Sequence, residues 1–327
     1  MTIKLGVIMD PIAQINVGHD STFAMLLAAQ QRGWSIFYLE QTDLFVRDGV
    51  AYGRMRGLTV KDDAKNWYEF THETTQELQV LNVILMRKDP PVDQEYLYTT
   101  QILDLAESKG VLVVNKPQSL RDFNEKLFIN WFPQCCPPTL ITHQAQQVKD
   151  FLQAHADIIC KPIYGMGGAG IFRLRKNDPN INVVIETLTN NGRHYLMAQK
   201  YLAEIAAGDK RILMIDGQPV PYALARFAAE GETRANIAAG GKGRGIELTA
   251  RDRWLCEQIA PILRAKGILF AGIDVIGDFI TEINITSPTC IRELDKEYNL
   301  NIADQLLQCI TLRLNKQQFA ERAKNTV

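Results

Sequence analysis

The chain has 327 residues, 46% hydrophobic and 22% charged, and its 36 Lys plus Arg nearly balance 37 Asp plus Glu for a net charge of -1. That is ordinary globular usage, and the length suits two or three domains better than one core. The balance excludes the basic signature of a nucleic-acid binder, and no apolar run reaches the roughly 18 residues of a membrane span.

The start, Met1-Thr-Ile-Lys-Leu-Gly-Val-Ile-Met-Asp10, reads as a first strand over 4–9 rather than a signal peptide. Asp20-Ser21 caps a helix that runs to Gly33. Strands follow at 34–39 and 82–86, then a helix over 98–109 stopped by Gly110, then a strand at 111–114. Strand and helix alternating with short turns implies a parallel α/β sheet. Residues 119–131 read as an amphipathic helix that carries Lys126, ended by Pro133 and Pro137-Pro138.

The middle of the chain predicts helices near 145–155 and 182–190 around a glycine-rich loop, Gly165-Met-Gly-Gly-Ala-Gly170. The loop lies between short strands at 157–160 and 171–174, so it is neither a dinucleotide fingerprint nor a P-loop, both of which require a following helix. Its backbone N–H groups can still cover phosphates, with Lys161 just before it as a point charge. An ordinary hairpin loop beside a solvated lysine is the competing reading. The last part is antiparallel. Strands 210–215 and 220–226 flank Asp216-Gly217, a strong hairpin signal, and helices are expected at 251–266 and 301–314. Between them, Phe227 to Gly245 is long, rich in small residues and punctuated by Arg234, Lys242 and Arg244. Such a connection reads as a lid that excludes water, or as a plain surface loop.

The densest chemistry is in the hairpin 269–276 and 279–285, turned by Gly277-Asp278. Glu282 and Asn284 stand two apart on a strand and share a face. With Asp274 they make an all-oxygen set suited to Mg²⁺ or Mn²⁺. A two-residue turn pairs 276 with 279 and 274 with 281, which puts Asp274 and Glu282 on opposite faces. A three-residue loop over 277–279, or a bulge that mimics it, pairs 274 with 282 and 272 with 284, and only then do the three oxygens converge. Incidental acids on a solvated hairpin face remain the alternative. The histidines His19, His72, His143, His155 and His194 form no metal or triad spacing. The six cysteines, with Cys135-Cys136 adjacent and no Cys-x-x-Cys, suggest reduced thiols in a cytoplasmic protein rather than a disulfide framework.

Together these segments resemble the bacterial glutathione synthetases of the ATP-grasp superfamily, over essentially the whole chain, and the resemblance implies that variable stretches such as 47–80 and the C-terminal tail are peripheral. The resemblance is carried by Gly6-Val-Ile-Met-Asp-Pro11, Met86-Arg-Lys-Asp-Pro-Pro91, Asn115-Lys-Pro-Gln-Ser-Leu-Arg-Asp122, Asn124-Glu-Lys126, Lys161-Pro with Gly165-Met-Gly-Gly168, and Asp209-Lys-Arg211. Gly231-Glu-Thr-Arg234, Ala238-Ala-Gly-Gly241 and Thr281-Glu-Ile-Asn-Ile-Thr-Ser-Pro-Thr-Cys-Ile-Arg-Glu293 complete it. It implies an α/β (α+β) chain with the ATP-grasp fold. An N-terminal parallel α/β domain would occupy 1–122, a small glycine-loop lid domain 123–202, and an antiparallel C-terminal catalytic domain 203–327.

The implied activity is ATP-dependent ligation of γ-glutamylcysteine to glycine through an acyl phosphate. Another ATP-grasp carboxylate–amine ligase and a non-catalytic nucleotide-binding module stay open. ATP would be held by Lys126, Lys161, Gly165, Gly167, Gly168, the hinge Gln199-Lys200-Tyr201-Leu202 and Asp209. Asp274, Glu282 and Asn284 would hold two Mg²⁺ or Mn²⁺ ions. Arg226 and Arg211 are the candidate catalytic arginines. Asp10, Ser21, Arg87, Ser287 and Arg292 are the candidates for substrate contact, and Arg234, Gly240 and Gly241 for the lid. Small-molecule substrates, no nucleic acid, no membrane and a homo-oligomer are expected.

Overall fold

The computed structural model describes residues 2–165, 167–227 and 242–324. The N-terminal unit is β1 (Lys4–Ile8), α1 (Ser21–Gln31), β2 (Ser35–Leu39), β3 (Leu44–Arg47), β4 (Val50–Val60), β5 (Tyr68–Glu77), β6 (Val83–Met86), α2 (Gln94–Glu107), β7 (Leu112–Val114) and α3 (Pro117–Asp122). The strands β2, β1, β6 and β7 are parallel, as the alternation of strand and helix implied. They are near-continuous apolar runs because both faces are covered, and β6 is buried along its whole length. The span 47–80 is more than a periphery. It supplies β4 and β5, which with β3 extend the parallel strands antiparallel into a seven-stranded sheet. Asp20 caps α1 by accepting from the Phe23 amide at 2.6 Å, and Asp93 caps α2 through Tyr96.

The expected helix over 119–131 is broken. The chain turns extended at Phe123, and the Asn124 carboxamide oxygen then accepts from the Lys126 and Leu127 amides. An Asn side chain competing for backbone N–H groups turns the chain instead of continuing a helix. Lys126 therefore sits on a tight turn, not on a helix face.

The middle unit holds β8 (Thr139–Thr142), α4 (Ala145–His155), β9 (Asp157–Pro162), β10 (Phe172–Arg175), α5 (Ile181–Thr189) and β11 (Leu196–Lys200). Its antiparallel sheet has the order β10-β9-β11-β8 and its own small core of Val148, Leu152, Ile158, Ile185 and neighbours. The last unit holds β12 (Asp209–Ile215), β13 (Gln218–Phe227), β14 (Lys242–Glu247), α6 (Ala250–Ala265), β15 (Phe270–Ile276), β16 (Phe279–Asn284), α7 (Ile291–Tyr298) and α8 (Ile302–Lys324). Its antiparallel sheet runs β14-β13-β12-β15-β16. Asp216 and Gly217 both take positive φ in a two-residue turn between β12 and β13, as the sequence signal required.

In the last unit two elements go beyond the sequence expectation. β14 pairs with β13 and begins inside the span expected to be lid, and α7 follows Cys290 with no side-chain cap to announce it. The outer two units share apolar clusters. Leu5 and Phe23 of the first pack in one cluster with Leu213, Phe270 and Leu306 of the last. Asn115 fastens this junction. Its amide donates to the carbonyls of Phe270 (2.7 Å) and Ile285 (2.6 Å), and its oxygen accepts from the Leu269 and Phe270 amides.

Candidate functional site

A cavity of about 600 Å³ opens between the middle unit and the five-stranded sheet. Lys126, Lys161, Gln199, Asp209, Arg211, Arg226, Asp274, Glu282 and Asn284, all singled out in the sequence, lie on its wall.

The β15–β16 hairpin resolves the register question with a bulge. Ile276 pairs with Phe279 across the two-residue turn, but the register shifts after Val275, so that Asp274 stands opposite Glu282 and Gly272 opposite Asn284. Thr281 is the extra residue on β16, and a bulge frees its backbone groups from the ladder. Its carbonyl accepts from the Lys161 ammonium at 3.2 Å, while its hydroxyl donates to the Asp274 carbonyl. One irregular residue thus brings the three candidate metal-binding side chains to one face and gives Lys161 an anchor.

Asp274 is fully buried between two arginines. Arg211 donates to it through Nε (2.5 Å) and an Nη (3.0 Å), and Arg226 approaches at 3.1 Å. Burial alone would raise the Asp274 carboxyl, but the two guanidiniums outweigh it and hold it well below the usual carboxylate range. Arg226 also donates to Asp209 at 2.5 Å. Burial pushes the Asp209 carboxyl up to about 6, with Arg226 opposing and Asp274 adding. Two further polar atoms of this pair, Asp209 Oδ1 and Arg226 Nε, are buried with no hydrogen-bond partner among the described residues. An orphaned acceptor and donor on a cavity wall mark places where a bound molecule can complete the hydrogen bonding.

Asn284 donates its amide to the Gly272 carbonyl (3.2 Å) and to Asp274 (3.3 Å), which turns its carboxamide against the carboxylate. Lys126 bridges Glu282 (3.1 Å) and the Gly165 carbonyl (2.9 Å). Burial pulls the Lys161 ammonium below its ordinary value, with Glu282 opposing. Among the described residues no three His, Cys, Asp or Glu side chains gather as a metal set. The oxygen set of two carboxylates and one amide fits a hard divalent cation, and the two lysines beside it fit the phosphates such a cation accompanies.

Gly165, Gly167 and Gly168 all take positive φ between β9 and β10, a conformation open to glycine that re-aims successive N–H groups. On the opposite wall, β11 leads into the hinge. The Lys200 amide donates to the Pro138 carbonyl and the Tyr201 amide to the Asp157 carbonyl, each at 3.0 Å. Leu202 N–H finds no acceptor among the described residues, so of these three amides it is the one open to a ligand. The Asp157 carboxylate binds Arg173 at 2.6 Å, and that guanidinium lies 3.4 Å over the Tyr201 ring. Arg173 escaped the sequence reading because only the β9–β10 pairing brings it to the hinge.

The candidates for substrate contact divide. Ser287 lines the cavity, and its hydroxyl donates to Asp89. The sequence reading turned Asp10, Ser21, Arg87 and Arg292 toward a bound dipeptide, but none of the four lines the cavity. Asp10 accepts from the Asp89 amide (2.9 Å) and from Lys88 (2.7 Å). Ser21 accepts from the Ile291 amide (3.1 Å), Arg87 donates to the Pro288 carbonyl (2.9 Å), and Arg292 forks onto Asp62 (2.8 and 3.0 Å). Ser21, Arg87 and Arg292 tether the segment 287–292 to the N-terminal unit, and Asp10 supports the Asp89 that receives Ser287. Arg234, Gly240 and Gly241 lie outside the described residues.

Residues 3–121 match the N-terminal domain of prokaryotic glutathione synthetase, and residues 125–299 match its ATP-grasp domain. The glutathione synthetase of Pseudomonas aeruginosa is 56% identical over 314 residues, covering 96% of this chain and 99% of that one. That of Vibrio vulnificus is 54% identical over 317 residues, covering 97% and 100%. Among solved structures, a D-cycloserine synthetase aligns with a TM-score of 0.68 at 13% identity, over 95% of this chain and 99% of that one. D-alanyl-alanine synthetase A of Vibrio cholerae aligns with a TM-score of 0.58 at 12% identity, over 96% and 98%. The structural likenesses carry the ATP-grasp fold and nothing finer. The sequence matches carry more: this chain belongs to the prokaryotic glutathione synthetase family.

Proposed function

We propose that the cavity joins γ-glutamylcysteine to glycine at the expense of ATP, releasing ADP and phosphate. The observation that carries the reading is the bulged register, which gathers Asp274, Glu282 and Asn284 beside two lysines and two arginines on one wall. Phosphoryl transfer asks the protein for positioning and charge neutralisation more than for covalent help, and this wall is built for both.

Leu202 N–H would meet the adenine edge, and Asp209 a ribose hydroxyl. Lys126, Lys161 and the N–H groups of the glycine loop would hold the phosphates. Asp274, Glu282 and Asn284 would hold Mg²⁺ or Mn²⁺, which when bound neutralises charge on the transferring phosphoryl group. The cysteinyl carboxylate takes the γ-phosphoryl group, and the bond from that phosphorus to the bridging oxygen of ADP breaks. The glycine amine, neutral after its ammonium loses one proton to solvent, attacks the acyl carbon, and the nitrogen loses a second proton to solvent as the amide forms. The C–O bond to phosphate breaks, and phosphate leaves with its electron pair.

Arg226 and Arg211, rigid on neighbouring strands, would face the acyl phosphate and the developing oxyanion. Ser287 would touch the dipeptide. Ser21, Arg87 and Arg292 would act one layer out by fixing the segment that carries Ser287, and Asp10 would do so through Asp89. The free cysteines suit a cytoplasmic enzyme. The test is ADP release with ATP, Mg²⁺ and γ-glutamylcysteine, with and without glycine, and product mass. Stoichiometric ADP and glutathione support the reading. ADP release with unrelated amino acids, and none with this pair, would overturn it.

A further inference from the structure

The tripeptide Asn124-Glu125-Lys126 touches two parts of the cavity wall, the lead-in to the glycine loop and the end of β16. Asn124 donates to the Ile163 carbonyl at 3.2 Å, and Lys126 to the Gly165 carbonyl, so both hold the lead-in to the glycine loop. The Glu125 carbonyl accepts from the Ile283 amide at 3.0 Å, between the two ligand positions of β16. Its side chain then reaches past the end of that strand. One oxygen, Glu125 Oε1, accepts from the Ile285 amide (2.7 Å), the Thr286 amide (2.9 Å) and the Thr286 hydroxyl (2.8 Å). Glu125 thus grips the 283–286 segment from both ends, with Asn284 in the middle and Ser287 next.

Nothing in helix or sheet geometry requires these contacts. β16 is an edge strand, paired on one side only with β15, and it ends at Asn284. An edge strand beyond a bulge has few ladder bonds to fix its side chains. The amides of 283, 285 and 286 would otherwise be open, and a carboxylate accepting several N–H bonds is among the stronger anchors available.

We propose that Glu125 is a positioning residue that sets the depth and orientation of Glu282 and Asn284 for a divalent cation, and the entry of the Ser287 loop. The inference rests on the function proposed above. Glu125 acts through β16 and needs its oxygen at the Oε1 position, not its charge toward a ligand. Outer groups that orient metal-binding side chains typically change metal affinity by about 10–100-fold when removed.

The experiment measures Mn²⁺ binding by electron paramagnetic resonance in the presence of ADP, and ADP binding without metal by calorimetry, on the full chain. Glu125→Ala should weaken Mn²⁺ by about 10–100-fold and leave metal-free ADP binding near wild type. Glu125→Gln keeps an oxygen acceptor and should lose no more than about 5-fold. Unchanged Mn²⁺ affinity in Glu125→Ala would overturn the proposal. So would a Gln variant as defective as the Ala variant, since charge and not position would then be at work. If Glu125→Ala does not fold, Thr286→Val decides. It removes one donor to the same oxygen and should weaken Mn²⁺ measurably, and no change there would also overturn the proposal. Absence of glutathione formation by the wild type would count against the proposed reaction while leaving the Mn²⁺ comparison intact.

Discussion

Asp274 faces Glu282 across the hairpin only because Thr281 is squeezed out of the β15–β16 ladder. Without that bulge the tight turn would set the two carboxylates on opposite faces of the sheet. The Thr281 carbonyl left over is the acceptor that holds Lys161. Glu282→Gln keeps the shape of this wall and removes one anionic oxygen. Turnover should fall by at least about 100-fold, with the thermal midpoint within a few degrees of wild type. Steady-state rates across a Mg²⁺ titration check this, and a rate near wild type at saturating Mg²⁺ removes Glu282 from the metal set.

Arg226 joins two acids of opposite habit, Asp209 raised and Asp274 lowered. Arg226→Lys retains charge but not the planar fork that spans them. The maximal rate should drop by about 10²–10³-fold, as for loss of one oxyanion donor, with the Michaelis constant for ATP little changed. A raised Michaelis constant for γ-glutamylcysteine at full maximal rate would recast Arg226 as a ground-state anchor.

Asp209 also makes stability depend on pH. Its folded value, about 6, lies above the ordinary 3.8, so its contribution is present below 3.8 and is lost as pH rises through 6. Asp209→Asn cannot ionise and escapes that loss. Relative to wild type, the variant should gain stability as pH rises from roughly 4 to 8 in urea unfolding, without nucleotide. A difference that stays flat with pH would show that the carboxyl is not raised.

The hinge clamp predicts a nucleotide effect without a chemical one. Arg173, held by Asp157, stacks on Tyr201, while the Asp157 carbonyl holds the Tyr201 amide. A partly exposed cation–π contact contributes about 0.5–1 kcal/mol, so Arg173→Ala should raise the Michaelis constant for ATP by about 2–5-fold and leave the maximal rate unchanged. A fall in the maximal rate alone would contradict a positioning role at the hinge.

Asn115 meets four backbone groups at the junction of the outer two units, all buried. Asn115→Leu strands those groups and should destabilise the chain by at least about 3 kcal/mol. Chemical denaturation measures this, and a loss under about 1 kcal/mol would mean that the junction is held by apolar packing alone.

Local signals were enough for much of this architecture. Apolar runs gave β1, β2 and β6, Asp20 announced α1, and Asp216-Gly217 fixed a hairpin by the φ values that its turn demands. The chemistry-bearing types, Lys161, Arg226, Asp274, Glu282 and Asn284, were visible because acids and cations inside apolar strands need a reason. Side-chain competition for backbone was harder to see. Asn124 stopped a helix that the periodicity of 119–131 favoured, and α7 starts after Cys290 with no side-chain cap to mark it.

The choice of register lay beyond local reasoning, because a bulge depends on what the freed carbonyl can find, and Lys161 is 120 residues away in sequence. For the same reason no individual role could be read for Glu125, Arg173 or Asn115. Each works by meeting backbone or side chains brought to it by sheets that pair across the chain. The sequence by itself determined the element types and the inventory of charges, since period, caps and turns act over a few residues. Only the tertiary structure decided which of those charges meet, because hydrogen bonds and ion pairs act over a few ångströms and chain packing alone brings distant segments that close.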